Sequence, residues 1–316
     1  MLVVTTMHLS EKHQEQFHHQ FPQHELQVYP SIDEARHSLP QAEILLTYGE
    51  DLTVDLLEEM KQLQWIHVIS AGIDRLPFNE LEQRGILVTN ARGIHAIPMA
   101  EYTIWAILTL ARQGKKLFTQ QEECLWDRST RMTEVAEQTL GILGTGAIGQ
   151  EIARKAKALD LRVIGYNRSG EHPKHFDVIV TGADLNQLFQ EADYIVSVLP
   201  RTADTDGLVD QRRLHLMKRD ASFINIGRGN VVDEEALIEV LRNQRIKGAV
   251  LDVFQTEPLP VEHPFWSLEN CIVTPHLSGR FPKYMERAMN IFYHNLHVWE
   301  DRTGELKNKV DLTRRY

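Results

Sequence analysis

The sequence predicts an α/β protein made of two parallel-sheet units, and three observations predict it. Short apolar runs alternate with amphipathic stretches along most of the chain, the pattern of a mostly parallel sheet covered by helices on both faces. The alternation occurs twice, on either side of one long apolar helix. The length, 316 residues, suits about two domains.

In chain order, strands are expected at Leu2–Thr5, Leu26–Tyr29, Ile44–Thr47, Trp65–Ile69 and Ile86–Val88. Helical stretches lie between them, such as Thr53–Lys61 with apolar Val54, Leu56, Leu57 and Met60. This first unit carries no glycine fingerprint. Pro98 then opens the helix PMAEYTIWAILTLAR, since proline suits a first helical turn. Its apolar residues fall on nearly every face, which predicts burial on several sides at a domain or subunit interface. The second unit starts with a strand at Thr139–Leu143, a helix at Gln150–Leu159 and a strand at Leu161–Tyr166. Further strands are expected at Tyr194–Val198, Ser222–Ile226, Ala249–Val253 and Cys271–Thr274, and a final helix over Lys283–Glu300.

Composition narrows the function classes. Hydrophobic residues at 42% and charged residues at 25% exclude a disordered or fibrous chain. Lys plus Arg number 34 against 44 Asp plus Glu, a net charge of −10. With no basic stripe, nucleic acid and anionic membrane are not expected partners. Two cysteines, Cys124 and Cys271, cannot build a disulfide framework or a zinc cluster. They read as reduced thiols of a cytoplasmic protein. The most apolar stretch, Ile104–Ala111, is far short of the ~20 residues of a membrane span. The N-terminal MLVVTTMHLS lacks a basic lead and a cleavage pattern, so it reads as a first strand and not as a signal peptide.

Gly144-Thr-Gly-Ala-Ile-Gly149 is a G-x-G-x-x-G placed between an apolar strand and a helix, with a second strand after them. That is the setting of a dinucleotide-binding turn. Gly144 permits the tight turn, Gly146 lets the backbone approach a pyrophosphate, and Gly149 lets the helix pack on the strand. The free N–H groups at the helix start favour phosphate. The end of the next strand selects the cofactor. A carboxylate there would bond a ribose 2′-hydroxyl and repel a 2′-phosphate. The chain reads instead Asn167-Arg168-Ser169, a cation flanked by hydrogen-bonding side chains. NADP is therefore expected over NAD.

Arg228, Glu257 and His276 each follow an expected strand of the second unit. Ligands of open α/β sheets bind outside the carboxyl ends of the strands, so the three can converge. Hydride addition to a carbonyl builds negative charge on its oxygen. A histidinium can protonate that oxygen, and a neighbouring carboxylate orients the ring and favours its charged form. An arginine can clamp a carboxylate and polarise the carbonyl. The trio suits a 2-oxo acid.

With these residues in place the chain resembles the D-isomer-specific 2-hydroxyacid dehydrogenases over essentially its whole length. The motifs are SAGID at 70–74, the 144–149 turn, ADYIVSVLPRTADTDGLV at 192–209, FINIGRGNVVDEEAL at 223–237, LDVFQTEPLP at 251–260, HPFW at 263–266 and TPHLSG at 274–279. The resemblance implies Arg228 as the substrate-binding arginine, Glu257 as the acid paired with the histidine, and His276 as the acid/base. It implies Tyr48, Ala71 and Gly72 as further substrate contacts. It assigns Gly144, Thr145, Gly146, Ala147, Ile148 and Gly149 to the cofactor, with Asn167, Arg168, Ser169, Leu199, Pro200 and Thr205. Ile226, Gly227, Asp252, His276, Ser278 and Gly279 complete that set, with Asp252 on the nicotinamide carboxamide. No metal is expected.

The resemblance further implies two Rossmann-like/flavodoxin-like domains, with the cofactor domain (95–280) inserted into a substrate domain formed by 1–94 and 281–316. Hinges near Arg92–Ile97 and Ser278–Lys283 would close the cleft between them. A homodimer through the 98–112 helix is implied as well. The usual acid after the second cofactor-domain strand is missing, and serine-feedback control of the phosphoglycerate dehydrogenase type, which takes an extra C-terminal domain, is not expected. The expected activity is reduction of a small 2-oxo acid to a D-2-hydroxy acid. The alternatives are a cofactor-sensing corepressor-like protein, and a formate- or phosphite-type dehydrogenase on the same cofactor domain.

Other residues take bland readings. His8, His13, His18, His19 and His24 are expected on a surface helix without an acidic partner. His172 and His175 are expected in a solvated loop, Trp126 and Trp266 as packing residues, His263 as structural and Cys271 as a buried strand residue.

Overall fold

Five parallel strands, β1 (Leu2–Thr5), β2 (Glu25–Val28), β3 (Ile44–Thr47), β4 (Trp65–Val68) and β5 (Leu87–Asn90), pair in the order β2-β1-β3-β4-β5. The register sets Val3 against Leu26 on one side and Ile44 on the other. The central strands are buried on both faces, as parallel sheets under helices must be. Helices α1 (Glu11–Gln20), α2 (Ile32–Ala35), α3 (Val54–Glu59) and α4 (Phe78–Gln83) connect them. Thr53 starts α3 because its hydroxyl accepts the Leu56 N–H at 3.3 Å. The computed structural model describes residues 1–73 and 75–313; Asp74 of the SAGID motif lies outside the described residues.

The chain divides into two compact units, Met1–Ile94 with Phe281–Tyr316, and His95–Arg280. The second opens with α5 (Ala96–Ala111) and α6 (Gly114–Glu122). Then come β6 (Thr139–Leu143), α7 (Ala147–Lys157), β7 (Arg162–Tyr166), β8 (Val178–Val180), α8 (Leu185–Glu191) and β9 (Tyr194–Ser197). It ends with α9 (Gln211–Leu216), β10 (Ser222–Asn225), α10 (Glu234–Arg242), β11 (Gly248–Leu251) and β12 (Cys271–Val273). All seven strands are parallel, in the order β12-β11-β10-β9-β6-β7-β8. The order reverses between β6 and β9, the switch point at which doubly wound sheets bind nucleotides. Both sheets are the parallel α/β architecture expected. The last helix, α11 (Tyr284–Asp301), belongs to the first unit. Its Phe292 stacks near Trp65 and near His67, which is completely buried on β4. Among the described residues no helix is long and apolar enough to cross a membrane.

Several expectations change. Helix α5 starts two residues before Pro98, which sits in the first turn, where the backbone N–H has no intrahelical partner anyway. Within this chain the helix buries one face, through Ala100, Thr103, Ala106, Ile107, Leu110 and Ala111. Ile97, Trp105 and Leu108 on it are exposed. Strand β8 has three residues, too few to show a period. His24 lies beyond α1 and is buried, with Nε2 2.7 Å from the Glu300 carboxylate, so the acidic partner that sequence spacing did not offer comes from α11. Trp126 is 91% exposed and packs no core of this chain.

Candidate active site

Every functional side chain expected in the second unit stands just past the carboxyl end of a parallel strand. The turn after β6 comes first. Gly144 has φ +104°, a left-handed conformation that suits glycine. A Cβ on Gly149 would strike the Gly144 carbonyl, so the close approach of α7 to β6 needs glycine there. A Cβ on Gly146 would meet nothing within 4 Å. The space in front of the α7 N-terminus is thus open, and Ala147 and Ile148 are the first residues of that helix. This cradle fits a dinucleotide pyrophosphate.

After β7, Asn167 turns inward. Its amide donates to the Thr145 hydroxyl (2.9 Å) and the Glu171 carbonyl (2.8 Å), while its oxygen accepts the Gly170 N–H at 2.7 Å. Asn167 therefore shapes the loop and ties it to the glycine turn. Arg168 and Ser169 are exposed, and Arg168 reaches Asp204 at 2.7 Å. After β9, Thr205 accepts the Thr202 N–H (2.9 Å) and donates to the Pro200 carbonyl (2.6 Å), pinning the loop that begins at Leu199. A Cβ on Gly227 would lie 2.6 Å from the Leu199 carbonyl, so the turn after Ile226 presses against that loop.

Arg228 follows directly and is exposed. The Asn225 amide donates to its carbonyl at 3.1 Å, and its own guanidinium donates to the Gly227 carbonyl at 2.8 Å. Past β11 and β12 stands the acid–imidazole pair. His276 Nδ1 is 2.8 Å from Glu257 Oε2, and the other carboxylate oxygen accepts the Phe254 N–H at 3.0 Å. The ring is half exposed. His276 has φ +48°, a left-handed conformation uncommon for non-glycine residues.

Asp252 holds that conformation. Its carbonyl accepts the His276 N–H at 2.9 Å. Its fully buried carboxylate accepts the N–H groups of Leu277 and Ser278, both at 2.9 Å, and the Thr274 hydroxyl at 2.6 Å. The side chain expected on a nicotinamide carboxamide is engaged here by the loop that carries His276.

His95, the residue before α5, was invisible to motif reading because it falls in an expected hinge. Its ring lies against Gly279, whose Cβ would come within 3.1 Å of it. Burial, reinforced by the charge of Arg228, pushes its pKa below the usual histidine value. Both influences favour the neutral ring at this position beside the His276 loop. Tyr48, Ala71 and Gly72 belong to the first unit, after β3 and β4. There Asn90 donates to the Ala71 carbonyl (3.1 Å) and Ser70 to that of Gly72 (2.8 Å). Cys271 is buried, its thiol pushed up to about 12 by desolvation, which makes it inert as a nucleophile.

A nucleotide turn at the switch point and an imidazole–carboxylate pair at the same sheet edge define a dehydrogenase-type domain. Residues 104–278 match the sequence model described as "D-isomer specific 2-hydroxyacid dehydrogenase, NAD binding domain". The chain is 34% identical over 254 residues to glyoxylate/hydroxypyruvate reductase B of Klebsiella pneumoniae, covering 79% of each. It is 33% identical over 248 residues to the D-3-phosphoglycerate dehydrogenase of Methanocaldococcus jannaschii, covering 77% of this chain and 47% of that one. The chain spans about half the length of the D-3-phosphoglycerate dehydrogenases it matches. A crystal structure of a D-isomer specific 2-hydroxyacid dehydrogenase family protein from Aeromonas salmonicida superposes with a TM-score of 0.85 at 32% identity, covering 98% of this chain and 99% of that one. One from Xanthobacter autotrophicus, in complex with NADPH and MES, gives 0.84 at 26% identity and 100% and 99% coverage. The chain belongs to the D-isomer specific 2-hydroxyacid dehydrogenase family.

Proposed function

We propose that this protein reduces small 2-oxo acids to D-2-hydroxy acids with a nicotinamide cofactor, preferring NADP. The observation that carries the reading is the His276–Glu257 pair, 2.8 Å apart at the carboxyl edge of the cofactor sheet. A nicotinamide cofactor held by the 144–149 turn would supply the hydride that the carbonyl carbon takes up. His276 gives its proton to the carbonyl oxygen, and Glu257 holds the ring by Nδ1 so that Nε2 faces the substrate. Arg228 pairs with the substrate carboxylate and polarises the carbonyl. Tyr48, Ala71 and Gly72 keep the substrate contacts that the resemblance gives them. Residues 95–280 act as the cofactor domain and 1–94 with 281–316 as the substrate domain. Two cysteines without a disulfide suit a cytoplasmic location. Oxidation of NADPH and NADH over a panel including glyoxylate, hydroxypyruvate and larger 2-oxo acids tests the activity. Turnover of none of them refutes it.

The NADP preference rests on the absence of an acid after β7 and on Arg168 at that place. A 2′-phosphate competes with Asp204 for the guanidinium, and exposed ion pairs of that kind are weak. Replacing Arg168 with alanine is expected to weaken NADPH binding about tenfold, the scale of one charge-assisted hydrogen bond, and NADH much less. Fluorescence titration of both cofactors decides it, and equal weakening sinks the preference.

The exposed apolar residues of α5, Ile97, Trp105 and Leu108, together with Phe118, Leu125 and Trp126 after it, support a homodimer through residues 98–112. A Trp105→Glu change puts a charge in that surface and is expected to yield monomers in analytical ultracentrifugation. A dimer of unchanged affinity excludes this face.

A further inference from the structure

The acid/base loop is tied to helix α5 by a chain of hydroxyls that the proposed reaction does not itself use. The Tyr102 hydroxyl lies 2.6 Å from Thr274 Oγ1, and Thr274 Oγ1 lies 2.6 Å from Asp252 Oδ1. The Thr274 hydroxyl has one proton, and the carboxylate needs a donor, so Thr274 donates to Asp252. The Tyr102 O–H must then donate to Thr274. Burial is the largest influence on the Tyr102 phenol and holds it well above its ordinary range, so it keeps this proton throughout the working pH. The chain therefore runs in one direction, Tyr102 to Thr274 to Asp252, and each bond polarises the next.

Asp252 in turn meets three consecutive backbone N–H groups: its carbonyl accepts that of His276, and its carboxylate accepts those of Leu277 and Ser278. Two consecutive N–H groups thus close on the anion, directly after the left-handed residue His276. A left-handed non-glycine residue persists only where its surroundings over-determine it. The Asp252 carbonyl and carboxylate do so here together.

We propose that Tyr102 and Thr274 are positioning residues, which fix the Asp252 carboxylate and through it the placing of the His276 ring against Glu257. The proposal rests on the reading of His276 as the acid/base. The charged and titratable groups at this end of the sheet include Glu257, Arg228, His95 and Asp252 itself. Of these only Asp252 is bonded to the hydroxyl chain, so Tyr102 acts on the ring through backbone placement and not through a charge of its own.

The test compares Tyr102→Phe, which keeps the buried ring and deletes one hydroxyl, with Thr274→Val and Thr274→Ser. In Tyr102→Phe, kcat is expected to fall about tenfold, with cofactor Kd within about twofold and an unchanged melting temperature. KM for the 2-oxo acid is expected to stay within about twofold, so the loss falls on kcat. Thr274→Val shows the same split, and Thr274→Ser keeps wild-type kcat. The His276 ring resonances, followed by NMR without substrate or cofactor, are expected to shift in Tyr102→Phe and Thr274→Val and to stay in place in Thr274→Ser. That measurement reads the placing of the ring even if the wild-type protein reduces no 2-oxo acid, so failure of the positioning and failure of the reaction are told apart. His276 ring resonances that stay in place in Tyr102→Phe overturn the proposal, whether or not kcat falls.

Discussion

Replacing His276 with asparagine is expected to lower kcat for 2-oxo acid reduction by about 10²–10⁴, the usual contribution of a positioned general acid. Asparagine is the informative replacement because the backbone there is left-handed, at φ +48°. Asparagine adopts that conformation more readily than alanine does. The N–H bond to the Asp252 carbonyl is kept, so the loop survives and the imidazole alone is lost. The glycine turn after β6 is untouched, so NADPH binding by fluorescence stays within about twofold of wild type. Turnover near the wild-type rate would remove His276 from the mechanism. Loss of cofactor binding along with turnover would assign it a structural role instead.

Acidification is expected to destabilise the first unit through His67. This ring is wholly buried on β4, with Nδ1 2.8 Å from the Thr89 hydroxyl. Burial lowers its pKa from the ordinary 6.5 to about 3, opposed by the backbone of Ala288. The folded protein therefore holds a neutral ring where the unfolded chain holds a charged one. For such a depressed pKa, the stability is fully present above 6.5 and is lost as pH falls toward 3. One unit corresponds to 1.36 kcal/mol, so the full loss from this residue is roughly 4–5 kcal/mol. Other groups titrate in the same range, and a variant isolates this one. His67→Leu removes the titration while Trp65 Nε1 still donates to Thr89 Oγ1, at 2.9 Å. Between pH 6 and 4, urea unfolding of the variant is expected to lose stability about 1.4 kcal/mol per pH unit less steeply than wild type. Identical slopes would show that His67 is not the acid-sensitive group.

The strands and the glycine turn were readable in the sequence because their signals are local. An all-apolar run of four or five residues has few other uses, and G-x-G-x-x-G between a strand and a helix meets a fixed steric need. Features set by distant residues were not readable. His24 finds Glu300 only because α11 returns to the first unit. The one-sided burial of α5 depends on what packs beside it, which an apolar run does not reveal. Trp126 counts as hydrophobic in any scale, yet it stands 91% exposed. The Tyr102–Thr274–Asp252 chain joins a helix to two strand ends far apart in sequence, and no spacing rule connects them. His95 lacked a motif altogether. It stands out only when Gly279 and Arg228 are seen beside it.

The loop after β7 has a use for protein engineering. Its internal bonds run through Asn167, which also links it to Thr145, and through the Ser169 hydroxyl, which donates to Asn167 Oδ1 (3.3 Å) and accepts the Glu171 N–H (3.2 Å), while the Arg168 side chain reaches outward to Asp204. On the proposed reading of Arg168, coenzyme choice resides in a side chain that the loop's own bonds do not need. Redesign toward the other nucleotide then becomes a matter of rewriting one surface letter while Asn167 and Ser169 are left alone.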